Sequence, residues 1–511
     1  MNVWRRAATS ALALSALAAT AASAQNKSDS TADESACSME SVKSGQLKDA
    51  YNAVTVLQLG KSKPEDARKK LREVVQDLTD KPDYGKDQLQ RNFILGSALV
   101  MWYEQPGQAP VAKGVDIGYK NGQESDVDLL AAADSLFTTV ETASAGCKAQ
   151  TEFYRQKPWA QMINEVGPLI NADSLDSANT LLTRSLVIYR DSPFSYYFKG
   201  QIDQRKEDWA GAAESFKQSV ALATPELAAK DSNVANVREF SEFAQAFATF
   251  RQAQTSSGDA QKAGMKQAAD LYRAYLKEYP NGPNADPARA GLSASLQSAG
   301  DTESLASMWS EMTANPSAYS AEQFYDAGVQ AYSAEKYDVA VQLMELGEKA
   351  NPYLRGGLFN LANAYWKNNQ FDKMIPVTQK LTEIDPDNPD NYQLVAIAYQ
   401  GLGKAVTGDA KLKKAYSDSV TKYVVASDKI PVKVTFGAFT HNGTTHKLEG
   451  TVENLGSAAK SVSLAVQFVD KSGNVVDTQT VPLSLEAKGS APFTLTATGD
   501  GIVGYKYEAV K

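Results

Sequence analysis

The sequence is poor in the residues on which most enzyme chemistry depends. Its 511 residues include only two histidines, His441 and His446, and only two cysteines, Cys37 and Cys147. No histidine precedes residue 441, so neither a Ser-His-Asp nor a Cys-His catalytic system can be assembled in the larger part of the chain. The motifs HExxH, GxSxG and the phosphate-binding P-loop are absent as well. We therefore expect a protein that is not an enzyme and that binds no cofactor and no metal ion.

The chain also lacks an excess of positive charge and a strongly apolar composition. It has 52 Lys and Arg against 60 Asp and Glu, a formal net charge of −8. Binding to nucleic acid requires clustered Lys and Arg against the phosphates, which an acidic chain does not favour. The mean hydropathy of −0.37 is too low for a bundle of membrane helices. We therefore expect neither a nucleic-acid partner nor an integral membrane protein.

Residues 1–24 have the pattern of a secretory signal peptide. Arg5 and Arg6 precede an Ala/Leu-rich stretch, and Ala22-Ser23-Ala24 is a small-x-small cleavage site. The alternative is an uncleaved membrane anchor, but the apolar stretch is short and diluted by Thr and Ser. We therefore predict bacterial export to the periplasm, or secretion. Residues 25–45 are rich in Ser, Asp and Lys, which predicts a flexible leader.

The two cysteines are expected to form one disulfide. Export places them in an oxidising compartment, where Cys37 and Cys147 would be oxidised together. A redox-active pair is the alternative, but the sequence has no C-x-x-C motif to lower the pKa of a thiol. A structural Cys37–Cys147 bridge is therefore the preferred interpretation.

Two segments in the middle of the chain repeat each other. Residues 321–352 and 355–386 align without gaps, and their closing residues Pro352 and Pro386 are 34 positions apart. The matched positions include Phe324 with Leu358, Gly328 with Ala362 and Ala340 with Met374. This pattern resembles the tetratricopeptide repeat (TPR) family, whose unit is a 34-residue helix–turn–helix. The resemblance implies an α-solenoid in which each unit buries its apolar face on its neighbours.

The repeat extends in both directions, to about nine helix pairs over residues 46–430. The predicted pairs are 46–80, 87–146, 159–192, 193–224, 234–280, 285–316, 321–352, 355–386 and 389–431. The first two rest on helical periodicity alone. The second contains a Gly/Pro-rich excursion at 105–123, and the fifth is expected to have a longer turn between its helices.

The apolar period changes from 3.6 to 2 after Pro431. In one strand Val462, Leu464, Val466 and Phe468 alternate with polar residues. Six or seven such short strands over residues 431–511 are typical of an immunoglobulin-like β-sandwich. The run 468–476, which follows 448–454, resembles the FxLYD-type bacterial sandwich domains, with Val466 and Val469 where the named Phe and Tyr would stand. The resemblance implies interaction at the cell envelope.

The histidines flank a turn in this predicted β domain. His441 and His446 lie on either side of Asn442-Gly443, so they could approach each other across a hairpin. A metal ion would need at least one more ligand. Exposed hairpin residues are therefore the preferred interpretation over a metal site.

The TPR resemblance implies a concave groove that binds peptides or partner proteins. In each helix pair, one row of residues along the first helix should pack on the neighbouring helices. The adjacent row of residues on the same helix should line the groove. The predicted groove residues are Tyr197, Gln201, Tyr325, Val329, Tyr332, Phe359, Asn363, Trp366 and Lys367. Rings suit apolar side chains, and Asn363 can pair with backbone amides. Tyr325 and Phe359 stand where lysine would grip a C-terminal carboxylate, so an internal or apolar segment is expected. The alternative is that the rings pack on neighbouring repeats and contact no partner.

The leading hypothesis from sequence is a non-enzymatic periplasmic scaffold or adaptor that binds other envelope proteins or peptides in this groove. The alternative is a cell-envelope binding module, in which the β-sandwich contacts polysaccharide or outer-membrane components and the solenoid is a spacer. An accessory subunit of an enzyme, or a hydrolase, is the third and weakest possibility.

Overall fold

The computed structural model describes residues 34–81 and 83–510. The predicted signal peptide and the first part of the leader lie outside these residues. The chain divides into two compact units, with the boundary between Ala299 and Gly300. Within the described residues no helix is long and apolar enough to cross a membrane.

The first unit consists of stacked helix pairs. Its helices are α1 (Gly45–Gln58), α2 (Pro64–Leu78), α3 (Gln88–Tyr103), α4 (Gly114–Ile117), α5 (Leu129–Ala143), α6 (Lys148–Asn171), α7 (Leu175–Ile188), α8 (Pro193–Arg205), α9 (Trp209–Leu222), α10 (Pro225–Ala228), α11 (Ser232–Gln254), α12 (Gly258–Glu278) and α13 (Ala285–Ala299). The predicted excursion forms the short helix α4 between two antiparallel strands, β1 (Val111–Lys113) and β2 (Asp126–Asp128). The longer turn expected in the fifth pair is wrong: three residues join α11 to α12, and the extra length lies in these helices of 23 and 21 residues.

The second unit begins with seven helices in the same arrangement. They are α14 (Thr302–Ala314), α15 (Ala321–Ser333), α16 (Tyr337–Ala350), α17 (Arg355–Lys367), α18 (Phe371–Ile384), α19 (Pro389–Ala405) and α20 (Ala410–Asp428). Helices α15, α17 and α19 begin at residues 321, 355 and 389, so each begins 34 positions after the last (355 − 321 = 389 − 355 = 34). The repeat predicted from sequence is therefore also the repeat of the structure.

The turn inside the repeat has the same backbone in both units. Asp173, Glu207, Glu335 and Asn369 all adopt the left-handed conformation, with φ between 57° and 59°. In each case the next residue donates its N–H to the carbonyl five positions back, at 2.8–2.9 Å. This Schellman bond satisfies a carbonyl that the helix end would otherwise leave without a partner. It turns the chain so that the second helix can pack against the first.

Small residues of the first helix accept large residues of the second. A Cβ on Gly200 would lie 2.7 Å from the ring of Phe216, and one on Gly328 would lie 2.5 Å from the side chain of Met344. Both contacts join residues 16 positions apart, which places them at the same point of their repeats. The fold is a TPR-type α-solenoid architecture followed by a small all-β domain, as the sequence predicts.

The β domain has two three-stranded antiparallel sheets. Its strands are β3 (Val432–Asn442), β4 (Thr445–Asn454), β5 (Lys460–Val469), β6 (Val475–Leu485), β7 (Ser490–Thr498) and β8 (Gly504–Tyr507). The sheet orders are β3-β4-β7 and β6-β5-β8. One core joins them, and Leu464, Val466 and Phe468 are fully buried in it, as the period of two predicts.

The predicted disulfide is present in the first unit. Cys37 and Cys147 are bridged, with their Cα atoms 5.6 Å apart. Beside it the Ala36 N–H donates to the Ser144 hydroxyl at 3.4 Å, and the Gln90 amide donates to the Ser35 carbonyl at 2.6 Å. The end of the predicted flexible leader is therefore part of the packed structure, because the bridge and these bonds hold it against α3 and the segment that follows α5.

Candidate peptide-binding face and the docked β domain

Helices α15 and α17 lie side by side in the second unit and carry most of the predicted groove residues. Three pairs of these residues are 34 positions apart: Tyr325 with Phe359, Val329 with Asn363, and Tyr332 with Trp366. Because the repeats share one geometry, the paired residues occupy the same helix face in successive repeats.

Six of the predicted residues are accessible to solvent on this face. Val329 is 40% exposed and Trp366 41% exposed. Lys367 is exposed, whereas Tyr332, Phe359 and Asn363 are half-buried. We call these six residues the aromatic face.

Tyr325 is not part of the accessible surface. It is only 4% exposed, and its ring fills a slot between Gly347 and Gly357. A Cβ on Gly357 would lie 2.2 Å from the Tyr325 ring, so the glycine is needed for the ring to fit. The prediction that Tyr325 lines a groove is therefore wrong for the folded chain, because this ring packs between α16 and α17.

The two predicted groove residues of the first unit are Tyr197 and Gln201, and neither is fully exposed. Tyr197 is 2% exposed and its ring contacts Phe198 and Phe240, with centroids 5.2 and 5.5 Å away. Burial raises the pKa of its hydroxyl to about 12. Gln201, one turn later, is half-buried. The prediction of an exposed Tyr197 is wrong, since the aromatic side chains of α8 and α11 enclose it.

The aromatic face combines apolar surface with a small number of polar groups. The Lys367 ammonium lies 5.6 Å from the centre of the Trp366 ring, and Tyr332 meets Tyr337 edge to face at 5.3 Å. The Asn363 amide donates to the carbonyl of Phe359 at 2.9 Å, which orients its side-chain oxygen. That oxygen can accept a hydrogen bond from the backbone of an extended peptide.

The turn after α18 holds the β domain through a buried carboxylate. Asp385 is inaccessible to solvent and accepts a hydrogen bond of 2.8 Å from the hydroxyl of Tyr507 in β8. The side-chain amides of Asn388 and Asn391 each donate to the same carboxylate at 3.1 Å, and Arg355 forms an ion pair with it. Because a buried carboxylate is costly unless it is paired and hydrogen-bonded, this network stabilises the docked arrangement.

Asp387 makes the second set of contacts to the β domain. Its N–H donates to the Tyr507 hydroxyl at 3.1 Å, and its carbonyl accepts from the Val434 N–H at 3.0 Å. Its carboxylate accepts from the Val510 N–H at 2.6 Å. Burial raises the pKa of the Asp387 carboxyl to about 6; the Val510 N–H opposes this rise and the nearby Asp385 adds to it.

The docking position differs from the one that the sequence suggests. The last repeat of a solenoid needs a polar outer face, and no further polar helix follows α20 to provide one. From the sequence we therefore expect the β domain to cover the apolar side of α20, at Tyr416, Val420, Tyr423 and Val424. Instead, Tyr416 and Tyr423 pack on Tyr399, and Val424 is 42% exposed. The prediction of direct docking is confirmed, but the predicted surface is wrong, because the hydrogen bonds run to the turns before α17 and α19.

The two histidines meet across the β3–β4 hairpin, as their spacing predicts. They are register partners, and their Nδ1 atoms are 2.8 Å apart. Over residues 34–81 and 83–510, no group of three or more His, Cys, Asp or Glu side chains is arranged to hold a metal ion.

Comparisons with known proteins identify no family. No family model matches the chain, and no curated protein resembles it in sequence. Among solved structures it is similar to MamA (15% identity, 46% of this chain and 92% of that one, TM-score 0.23). It is also similar to the yeast Sti1 TPR2AB domain in complex with pHSP90 (16% identity, 53% of this chain and 98% of that one, TM-score 0.22). A third similar structure is apo RapI (10% identity, 75% of this chain and 96% of that one, TM-score 0.25). With TM-scores this low, the TPR-type architecture is identified from the 34-residue repeat of helices α15, α17 and α19 in the chain itself.

Proposed function

We propose that the protein is a non-enzymatic scaffold or adaptor of the bacterial periplasm that binds envelope proteins or peptides through the aromatic face. One observation carries the proposal: two successive repeats expose Val329 and Trp366 beside the half-buried rings of Tyr332 and Phe359. A contiguous patch of accessible apolar side chains is typical of a surface that a partner covers, and Trp and Tyr are enriched in such surfaces.

The chemistry of the face favours an internal apolar segment as its ligand. Tyr332, Phe359 and Trp366 offer flat apolar surface, and Asn363 offers an amide to a peptide backbone. Lys367 is the one charged member of the face, and its ammonium lies over Trp366. A C-terminal carboxylate would require several converging cations, which these six residues do not supply.

Two features support the proposed location. The first 24 residues have the n-region, apolar region and cleavage site of an export signal. The Cys37–Cys147 bridge fits an oxidising compartment, since such bonds are rare in the bacterial cytosol.

The alternative, an envelope-binding β domain with the helices as a spacer, has less support. In the second unit the β domain is held on the helix turns by the buried Asp385 and Asp387 contacts. This arrangement favours a structural role for the β domain over that of a module carried on a spacer.

The test is co-purification from cells with a Phe359→Ala/Trp366→Ala variant, after circular dichroism shows that the variant is folded. We expect at least a tenfold loss of recovered partner. The matched control is Val424→Ala/Val425→Ala, which removes similarly exposed apolar groups from α20 and should retain partner binding. Unchanged recovery with the folded Phe359/Trp366 variant would contradict the proposal.

A further inference from the structure

Two rings of the aromatic face occupy equivalent places in successive repeats. Tyr332 is the next-to-last residue of α15, and Trp366, 34 positions later, is the next-to-last residue of α17. Trp366 is 41% exposed and Tyr332 is half-buried. A ligand that crosses both helices at this level therefore meets one ring on each helix.

The distance between the two helices sets the spacing that the ligand must match. Cα atoms of α15 and α17 approach within 8 Å of each other, and the axes of packed helices are about 8–10 Å apart. In a polyproline II helix every third side chain returns to the same face, about 9.3 Å further along. Residues on one face of a β-strand are about 6.4–6.8 Å apart, which is too short. A polyproline II segment therefore places residues i and i+3 over successive helices.

The chemistry of the two rings fits proline. Grooves lined by aromatic side chains bind P-x-x-P segments in the polyproline II conformation, whose backbone carbonyls have no partner within the helix. Over residues 34–81 and 83–510, the indole N–H of Trp366 and the hydroxyl of Tyr332 donate no hydrogen bond. Both groups can therefore donate to carbonyls of such a ligand.

The charge beside Trp366 adds a preference for an acidic neighbour. The Lys367 ammonium lies 5.6 Å from the centre of the Trp366 ring and forms no ion pair within the described part of the chain. A carboxylate next to the proline on Trp366 complements this charge. The residue 34 positions after Trp366 is Gln400, so α19 offers no third ring at this level. Two prolines and one acidic residue therefore match what the face presents.

We propose that the aromatic face binds P-x-x-P segments in the polyproline II conformation, with one proline on Tyr332, the other on Trp366 and an acidic residue beside the second. The inference rests on the proposed function and names the ligand class of the same face. A polyproline II segment is largely ordered before it binds, so it loses little conformational freedom on a face with few rings.

The test compares two isomeric, fluorescently labelled peptides by anisotropy with the purified full chain. In GAPAAPDG the prolines are three positions apart, and in GPAAAPDG, of the same composition, they are four apart. The fourth residue of a polyproline II helix points about 120° away from the first, so the first peptide should bind at least about tenfold more tightly. Equal binding of the two isomers, or no measurable binding of the first, would overturn the proposal.

Variants of the chain assign the contacts. Trp366→Ala, shown to be folded by circular dichroism, should bind GAPAAPDG at least about tenfold more weakly. Lys367→Gln should no longer prefer this peptide over GAPAAPNG. Lys404→Gln, which changes an exposed lysine near the end of α19, is the matched control and should keep the preference. Unchanged binding to Trp366→Ala, or a preference for Asp that survives Lys367→Gln, counts against the proposal.

Crosslinking in cells distinguishes failure of this inference from failure of the proposed function. The partner segment captured by a photoreactive residue at position 366 is identified by mass spectrometry and should contain P-x-x-P with Asp or Glu beside it. A captured segment without this pattern overturns the inference and leaves the proposed function standing. If no partner is captured from position 329 or 366, the proposed function itself fails.

Discussion

The hydroxyl of Tyr507 donates a hydrogen bond of 2.8 Å to the buried carboxylate of Asp385, which lies 122 residues earlier in the chain. One residue belongs to the last β-strand and the other to the turn between α18 and α19. The bond therefore joins the β domain to the repeats at a point that solvent does not reach, where hydrogen bonds to charged groups are strongest.

Replacing Tyr507 by Phe should lower the free energy of unfolding of the chain by about 1–3 kcal/mol, because the Asp385 carboxylate loses one buried donor. Urea denaturation followed by circular dichroism measures the change. Tyr416→Phe, which removes a hydroxyl from a half-buried ring on α20, should change stability by less than about 0.5 kcal/mol. Equal stability of the two variants would show that the junction is not held by this bond.

The buried Asp387 should make stability depend on pH between about 4 and 6. Its pKa is about 6 in the folded chain and 3.8 without the fold, so in this window the folded state keeps a proton that the unfolded state has lost. Its stabilising contribution is complete below pH 3.8 and is lost as pH rises through 6, by up to about 3 kcal/mol.

Asp387→Asn cannot ionise and still offers an oxygen to the Val510 N–H. The stability of this variant relative to the unmodified chain should therefore rise between pH 4 and pH 7. Denaturation curves at both pH values test this. If the difference in the free energy of unfolding between the variant and the unmodified chain is the same at both pH values, Asp387 does not titrate as described.

Reduction of the disulfide should destabilise the first unit. The bridge joins residues 110 positions apart, and the chain-entropy model gives about 4.7 kcal/mol as the upper limit for a loop of this size. Adding dithiothreitol should lower the urea midpoint of the unmodified chain. The Cys37→Ser/Cys147→Ser variant should already have the lower midpoint and should not respond to the reductant, whereas a response in it would assign the effect to another cause.

The glycine of the helix–helix contact should not tolerate a methyl group. In Gly200→Ala the new Cβ would lie 2.7 Å from the ring of Phe216, and the overpacking should cost about 1–3 kcal/mol. Gly356 lies in the first turn of α17, where a Cβ would meet no atom within 4 Å, so Gly356→Ala should be neutral or stabilising by up to about 1 kcal/mol. Thermal denaturation distinguishes the two variants, and equal melting temperatures would argue against the packing described.

The repeat and the strands were predictable because they depend on local periodicity. The 34-residue offset that aligns Phe324 with Leu358 is the offset between α15 and α17, and the alternation around Leu464 is the alternation of burial in β5. A period in sequence is enough to identify an amphipathic helix pair or a half-buried strand.

The aromatic face and the junction depend on contacts that no local pattern contains. Tyr325 and Phe359 occupy equivalent positions, yet only Tyr325 faces a pair of glycines that allows it to be buried. Asp385 and Asp387, in a run of Asp, Asn and Pro, have the composition of an exposed turn. They are buried because a domain that begins more than 40 residues later packs on them. The spacing of His441 and His446 predicted their approach across the hairpin but not the burial of His446, which is 5% exposed.

Site-specific photo-crosslinking in living cells tests most directly whether a partner binds on the aromatic face. A photoreactive amino acid is introduced singly at Val329, at Trp366 and, as a control of similar exposure, at Val424 on α20. We expect the same crosslinked partner from positions 329 and 366, and no such product from position 424. Crosslinks to that partner from position 424, with none from the other two, would contradict it.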